Sequence, residues 1–202
     1  MRKILLATNN EGKLRSMRVL LAGLAVQVVS PAELGIDLDV PEDGATYREN
    51  ARLKARAFAA ASGLPSIADD SGLEIRSLGG WPGVHSVRFA GPNVSLERRK
   101  EIILARLRGV LDRSARFVCV VSLAESDKIL AEAEGILEGV MLEAEQGSGG
   151  FGYDPIFRPL GMTRTLAEIS EDEKATFTHR ARAITALLPQ LVAQLGLDRQ
   201  VT

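Results

Sequence analysis

Two adjacent carboxylates follow a short apolar run in the first half of the chain. They are Asp69 and Asp70, in the segment ADDSGL at residues 68–73. Mg²⁺ prefers a few carboxylates together with water and substrate phosphates, and a carboxylate can also act as a general base. Because Asp, Ser and Gly are common in surface turns, the pair alone is a weak signal. We expect a short strand here that runs into an acidic turn.

A polar turn, TNNEGK at residues 8–13, lies between the first apolar run and a helical pattern. It lacks both the leading glycine and the Ser or Thr after the lysine that a P-loop requires. A helix N-terminus nevertheless favours an anion, and Asn9, Asn10 and Lys13 could add donors and a positive charge. The alternative is a capped helix start with a solvated lysine, and on this segment alone we favour it.

A glycine-rich segment, GSGGFGYD at residues 147–154, carries two aromatic residues. Its glycines formally match G-x-G-x-x-G, but Pro155 opposes the helix that a dinucleotide site requires at that point. We therefore predict a turn. It would present Phe151 and Tyr153 for stacking on a flat ring, with Asp154 as a hydrogen-bond acceptor. Packing of both aromatic rings in the core is an equally good interpretation.

A cationic group lies near the start of the last predicted helix. It consists of Lys174, His179 and Arg180, in EKATFTHR at residues 173–180. Positive side chains at a helix N-terminus oppose the helix dipole, and a bound polyanion would explain their placement. The alternatives are a capping or partly buried His179 and an Arg180 on a solvated helix face. Together, the four segments supply what a Mg²⁺-dependent nucleotide hydrolase needs.

The composition argues against several kinds of partner. The chain has 202 residues and a formal net charge of -1, so no overall basic field would attract nucleic acid. Its single cysteine, Cys119, excludes an internal disulfide and fits a reducing compartment. The apolar run after Arg2 and Lys3 is too short for a signal peptide, and no stretch is long enough to span a membrane. We expect a cytoplasmic protein with no nucleic-acid or membrane partner.

Strand-like and helix-like patterns alternate along the chain, which predicts an α/β fold. We find no repeat and no convincing linker, so we predict a single domain over residues 1–202. The predicted strands cover residues 2–8, 26–29, 115–124 and 127–141, and the predicted helices cover residues 12–24, 46–62, 95–108 and 178–195.

Residues at the ends of these elements carry local signals. Thr46 and Glu49 form a possible capping box, and Ser95 could cap the next helix. The Ser-Asp pair at residues 126–127 suggests the turn of an antiparallel hairpin. Pro189 is expected to kink or split the last helix.

Six motifs in a fixed order make the sequence resemble the inosine/xanthosine triphosphate pyrophosphatases, a family that removes non-standard purine nucleotides from the nucleotide pool. The resemblance covers almost the whole chain. It implies an α/β fold with a long central mixed sheet flanked by helices, and two lobes with the active-site cleft between them. The motifs are TNNEGK (8–13), PEDGATYRENARLKA (41–55), ADDSGL (68–73), WPGVHSVRFAG (81–91), GFGYDPIF (150–157) and EKATFTHR (173–180).

The resemblance also implies roles for individual residues. Asp70 would be the catalytic acidic residue, which accepts a proton from the attacking water, and would bind Mg²⁺ together with Glu42. Asp69 and Glu49 would lie behind Asp70 and Glu42 and help to position them. The residues that would bind the substrate are Thr8, Asn9, Asn10, Glu11, Gly12, Lys13, Ser71, Phe151, Gly152, Tyr153, Asp154, Lys174, His179 and Arg180. Members of the family are usually homodimers.

By the same resemblance, the expected reaction cuts a nucleoside triphosphate between its α and β phosphates and gives the monophosphate and pyrophosphate. ITP, dITP and XTP are the expected substrates, because donors from His179 or Arg180 would suit the carbonyl at position 6 of the base and not the amino group of adenine. Two alternatives stay open. One is a pyrophosphatase for modified pyrimidine triphosphates, and the other is a non-catalytic nucleotide-binding protein.

Overall fold

The first strand is shorter than the sequence predicts. In the computed structural model, which describes residues 2–197, strand β1 spans Arg2–Leu6 and helix α1 spans Glu11–Leu21. Asn10 caps α1, because its side-chain oxygen accepts a hydrogen bond from the backbone N–H of Lys13 at 3.1 Å. The TNNEGK turn therefore begins in the loop after β1 and ends in the first turn of α1.

A six-stranded mixed sheet forms the centre of the fold. Besides β1, it contains β2 (Val26–Val29), β3 (Ser66–Ile75), β4 (Ser114–Glu125), β5 (Lys128–Met141) and β6 (Phe157–Pro159). The strand order is β2-β1-β3-β4-β5-β6. β1 is parallel to β2 and β3, whereas the pairs from β3 to β6 are antiparallel. The predicted α/β fold with a long mixed sheet is confirmed, and the division into two lobes stays a prediction.

Helices cover both faces of this sheet. After α1 they are α2 (Tyr47–Ser62), α3 (Leu96–Arg106), α4 (Glu171–Phe177) and α5 (His179–Leu195). Within the described part of the chain, no helix is long and apolar enough to cross a membrane.

The core alternates between the two faces of the sheet. Leu6 and Ile67 belong to the cluster that α1 and α5 cover, whereas Leu5 and Ala68, their neighbours in sequence, belong to the cluster that α2 covers. This is the alternation expected of strands that are buried on both sides. A third cluster lies around α3 and the far ends of β3, β4 and β5.

Most of the predicted helix ends are confirmed. Thr46 and Glu49 form the capping box at the start of α2, and Gly63 ends that helix in the left-handed conformation. Ser95 and Thr178 cap α3 and α5 through their side-chain oxygens. The predicted hairpin is also confirmed, since β4 and β5 pair antiparallel on either side of residues 126–127.

The prediction of an acidic turn after a short strand is wrong. Asp69 and Asp70 lie inside β3, which continues to Ile75. β4 pairs with β3 along its full length, from Ser66 opposite Ala124 to Ile75 opposite Ala115. This pairing holds the acidic residues in an extended conformation, although their types are common in turns.

Two details near the C-terminus also differ from the prediction. Helix α4, a seven-residue helix capped by Ser170, was not predicted. Pro189 does not split α5, which runs through it to Leu195, and a kink there stays a prediction. A proline leaves the carbonyl four residues earlier without its helical hydrogen bond, and that residue, Thr185, is exposed, so water can bind the carbonyl.

Candidate active site

A cleft opens where β1 separates from β3. The pairing of these strands covers Leu5 with Ser66 and Leu6 with Ile67, after which the chain turns away into the TNNEGK turn. Asp69 therefore lies just beyond the point of separation. The cleft has a volume of about 520 Å³, and the residues with polar side chains that line it are Thr8, Asn9, Asn10, Lys13, Asp39, Glu42, Lys54, Asp69 and Arg88.

Asp69 is fully enclosed on the α1 and α5 side of the sheet. One of its oxygens lies 2.9 Å from Lys13 Nζ and 3.6 Å from Arg180 Nε. Burial alone would raise the pKa of this carboxyl group, but Lys13, Arg180 and Lys54 together hold the pKa well below its usual range. Asp69 is therefore a fixed negative charge that positions two cations, and Lys13 is not the solvated lysine that the TNNEGK turn alone suggested.

Asp70 lies on the opposite side of β3, which α2 covers. Asn50 of α2 donates a hydrogen bond from Nδ2 to Asp70 Oδ2 at 3.0 Å, and Lys54 Nζ lies 3.6 Å from Oδ1. Burial raises the pKa of Asp70, Lys54 opposes the rise, and the negative charge of Glu42 adds to it. A buried carboxylate with a raised pKa and a fixed orientation is suited to accept a proton.

Glu42 approaches the same lysine from the loop before α2. Its two oxygens lie 2.6 Å from Lys54 Nζ and 3.1 Å from an Arg88 guanidinium nitrogen. Burial would raise the pKa of Glu42, but the charges of Lys54, Lys13 and Arg88 lower it. Lys54 thus joins Glu42 to Asp70, the two carboxylates predicted to bind Mg²⁺.

Sequence reasoning missed Lys54. It lies one helical turn after Asn50, and both residues stand beside the buried Ala51 and Ala55 of α2. The sequence signal that could have identified Lys54 is this pair of polar residues, four positions apart and next to the apolar face of the helix. Only the packing of α2 on β3 shows that this stripe faces two carboxylates.

The donor set is compatible with Mg²⁺. Within residues 2–197, no group of three or more His, Cys, Asp or Glu side chains converges on one point. Mg²⁺ needs only one or two carboxylates when substrate phosphates and water complete its coordination. Glu42 and Asp70 already share one cation, the ammonium group of Lys54, so two carboxylates are available in one place.

Lys174 is buried between two carboxylates at one end of the glycine-rich segment. Its Nζ lies 3.0 Å from Asp154 and 2.9 Å from Glu171. Asp154 also accepts a hydrogen bond from the backbone N–H of Phe151. Burial raises the pKa of Asp154, and Lys174 opposes the rise. These contacts fix the turn that carries the aromatic residues.

The two aromatic residues of that turn have different environments. Phe151 is partly exposed, lies 3.2 Å from the position that a Cβ atom on Gly12 would take, and has the Arg180 guanidinium 5.4 Å from its ring centre. Tyr153 is buried in the third core cluster, and its hydroxyl donates to the carbonyl of Ser86. The surface of Phe151 is thus free to stack on a ligand, whereas Tyr153 packs in the core, and a substrate contact for Tyr153 stays a prediction.

His179 and Arg180 occupy the first turn of α5 and are both buried. The His179 ring stacks on Phe117, with 4.9 Å between ring centres. Burial, followed by the charge of Arg180, lowers the pKa of His179 well below its usual range, so the ring is neutral. Among the described residues, His179 Nδ1 and Arg180 Nε have no hydrogen-bond partner. Buried polar atoms without partners are rare, and a bound ligand would supply a partner for His179 Nδ1 and add to the ion pair of Arg180 with Asp69.

Four predicted substrate contacts remain, and of these only Thr8 lines the cleft. Thr8 accepts a hydrogen bond from the N–H of Asn10, and Ser71 Oγ lies 3.5 Å from Asp69 Oδ2. Glu11 is exposed at the start of α1, and Gly152 has a positive φ in the turn after Phe151. Their roles in binding stay predictions.

A larger hollow lies away from these residues. Its volume is about 620 Å³, and it lies on the sheet around Glu74, Arg116 and Glu138. None of the residues predicted to bind substrate or metal lines it. The candidate site is therefore chosen by the convergence of charged groups and not by the volume of the hollow.

The fold and the cleft define a class of α/β protein in which lysines and carboxylates form ion pairs where β1 separates from β3. Residues 4–190 match the Ham1 family, and the chain belongs to it. The matched range includes every residue of the cleft.

Relatives and solved structures are similar over nearly the full length. The chain is 48% identical to the dITP/XTP pyrophosphatase of Gloeobacter violaceus over 190 residues, which cover 93% of each chain. It is 47% identical to that of Syntrophobacter fumaroxidans, over 91% of this chain and 79% of the relative. The structure of a HAM1 protein from Coxiella burnetii has a TM-score of 0.86 and 39% identity, and it covers 96% of this chain and 100% of that one.

Proposed function

We propose that the protein hydrolyses the non-standard purine nucleoside triphosphates ITP, dITP and XTP to the monophosphate and pyrophosphate, and so removes them from the nucleotide pool. The observation that carries this proposal is the convergence of Lys13, Lys54, Glu42 and Asp69 in one cleft, with Asp70 behind Lys54 at 3.6 Å. The relatives named dITP/XTP pyrophosphatase support the choice of substrate.

Asp70 is the general base of this proposal. Its raised pKa lets it take a proton from the attacking water, and the hydrogen bond from Asn50 fixes the direction in which its oxygens point. Glu42 and Asp70 would hold Mg²⁺. When bound, Mg²⁺ would polarise the α-phosphate and offset its charge.

The cations of the cleft bind the triphosphate. Lys13, in the first turn of α1, is positioned by Asp69, and the N-terminus of that helix adds its dipole. Lys54 approaches from α2 on the other side. Charge that develops on the departing pyrophosphate is thus offset from both faces of the sheet.

Base recognition falls to Phe151, His179 and Arg180. Phe151 stacks on the purine ring, and donors from His179 or Arg180 bind the carbonyl at position 6. Among the described residues, His179 Nδ1 has no hydrogen-bond partner, and Arg180 Nε has only the longer ion pair with Asp69 at 3.6 Å. Adenine has an amino group at position 6, which would leave these donors badly paired. A site built to hydrogen-bond one group can reject its counterpart by roughly 10⁴-fold.

Two further parts of the proposal come from the family resemblance and the sequence. The protein acts as a homodimer, and it works in the cytoplasm, where its one cysteine would stay reduced.

Product analysis tests the reaction. ITP is incubated with the protein and Mg²⁺, and the nucleotide and phosphate products are separated. Equal amounts of IMP and pyrophosphate are expected. Release of IDP and phosphate would mean cleavage between the β and γ phosphates, and no products would favour a non-catalytic nucleotide-binding protein.

A further inference from the structure

The loop between β3 and α3 forms part of the cleft wall. We call residues 79–94 the Trp81 loop. It contributes Val87 and Arg88 to the cleft, and Arg88 donates a hydrogen bond to Glu42 Oε2 at 3.1 Å. Arg88 is about one-third exposed, and an ion pair of that kind contributes little to stability. Another contact must therefore hold the loop where Arg88 can reach Glu42.

The carbonyl of Trp81 attaches the start of the loop, where it accepts a hydrogen bond from the N–H of Ile75 in β3 at 3.2 Å. Ser86, two residues before Arg88, makes the contact nearer to Arg88. Its side chain is buried, and Oγ accepts a hydrogen bond from the backbone N–H of Leu73 in β3 at 2.8 Å. The same hydroxyl donates to the carbonyl of Gly83 at 2.6 Å. The N–H of Leu73 belongs to the part of β3 beyond the separation from β1, and Ser86 takes the place of a strand partner there.

Gly72 of β3 leaves the space that the contact with Ser86 needs. A Cβ atom on Gly72 would lie 2.8 Å from Ser86 Oγ and would also collide with the carbonyl of Gly83. Only glycine at position 72 allows the Trp81 loop to come this close to β3.

Ser86 also contacts the glycine-rich turn. Its backbone carbonyl accepts the hydrogen bond from the buried hydroxyl of Tyr153. Tyr153 stands between Phe151, the proposed stacking residue, and Asp154, which binds Lys174. Ser86 therefore links the Trp81 loop, to which it belongs, both to β3 and to the glycine-rich turn.

We propose that Ser86 is a positioning residue: its hydroxyl fastens the Trp81 loop to β3 so that Arg88 stays on Glu42. This inference rests on the proposed function, because Glu42 belongs to the proposed metal site. Ser86 does not line the cleft and acts through Arg88.

A double-mutant cycle tests the inference. Ser86→Ala should lower kcat/KM for ITP by about tenfold, since a small displacement of a positioned group is costly to the reaction. In an Arg88→Met background the same change should add less than about twofold, because residues that act through one contact are not additive. Ser66→Ala is the matched control. It removes another buried serine hydroxyl, at the start of β3, and should leave kcat/KM unchanged.

A second measurement does not depend on activity. Trp81 is the only tryptophan of the chain and lies in the loop concerned. Ser86→Ala should increase the quenching of its fluorescence by acrylamide, and Ser66→Ala should not. If Ser86→Ala fails to fold, Ser86→Cys, which keeps a weak hydrogen-bonding group of similar size, replaces it in both experiments.

The outcomes separate the two proposals. Wild-type kcat/KM in the Ser86→Ala variant, or losses that multiply in the double variant, would overturn the role of Ser86. If the wild type itself releases no pyrophosphate from ITP, the proposed function fails, and the fluorescence experiment still decides whether Ser86 fastens the loop. Unchanged quenching would then overturn the attachment.

Discussion

Asp69 and Asp70 are neighbours in sequence, yet they face opposite sides of the central sheet. Asp69 contacts Lys13 of α1 and Arg180 of α5, whereas Asp70 contacts Asn50 and Lys54 of α2. Their pKa values move in opposite directions: burial and the charge of Glu42 raise that of Asp70, and a group of cations lowers that of Asp69. One carboxylate is thus a permanent charge that organises cations, and the other is able to take up a proton.

Asp70→Asn should almost abolish turnover of ITP without weakening the fold. The amide cannot accept a proton, and loss of a general base typically costs about 10²–10⁴ in rate. Because burial raises the pKa of Asp70, its charge costs stability at neutral pH, and the variant should unfold at the same or a higher temperature. Pyrophosphate release and thermal unfolding measure both effects, with the exposed Asp172→Asn as control. Near-normal turnover would refute the assignment.

Lys54→Met should destabilise the protein, because it removes the cation shared by Glu42 and Asp70. The expected loss is about 2–3 kcal/mol, below the full cost of an unpaired buried charge since Glu42 keeps Arg88. The loss should shrink at acidic pH, where the two carboxylates become protonated. Urea unfolding across pH measures it, and Lys128→Met, at an exposed position of β5, is the control. Equal stability of Lys54→Met and wild type would contradict the buried network.

The contribution of Asp69 to stability should depend on pH. Its folded-state pKa lies below the value of about 3.9 expected in the unfolded chain, so the unfolded state binds the proton first as pH falls. The stabilisation is complete above that unfolded value and is lost as pH falls through the folded one. The free energy of unfolding of wild type should exceed that of Asp69→Asn at pH 7, and the difference should shrink below about pH 4. A difference that is constant with pH would argue against the ion pairs.

Gly72→Ala should destabilise the protein by about 1–3 kcal/mol, as expected for overpacking, since the new methyl group would collide with backbone and side-chain atoms of the Trp81 loop. Gly23→Ala is the matched control, because a Cβ atom there meets nothing within 4 Å. Chemical denaturation of both variants gives the comparison. If the two changes have equal effects on the free energy of unfolding, the Trp81 loop does not approach β3 closely at Gly72.

Local signals in the sequence were sufficient for much of the architecture. The capping box of Thr46 and Glu49, the cap at Ser95 and the hairpin at residues 126–127 involve residues a few positions apart, and the structure confirms all three. The conformation of the acidic pair was predicted wrongly because the contact that fixes it is not local. Asp69 and Asp70 are held in a strand by β4, some 50 residues away in sequence, and no local pattern reports such a partner.

Several residues of the site could be predicted from the sequence, but the ion pairs between them could not. Lys13 and Asp69 were both singled out, but their ion pair depends on α1 and β3 meeting beyond the end of β1. Lys54 and Arg88 were not singled out, because their partner, Glu42, lies in an irregular loop. Similarly, nothing local distinguishes the exposed Phe151 from the buried Tyr153 two residues later.

The most direct test of the proposed function is the ratio of kcat/KM for ITP to that for ATP, measured by pyrophosphate release with Mg²⁺. Donors from His179 and Arg180 suit the carbonyl of hypoxanthine and leave adenine badly paired, so the ratio should be about 10⁴. XTP and dITP should behave like ITP, and omission of Mg²⁺ should remove the activity. Comparable values of kcat/KM for ITP and ATP would contradict the proposed function.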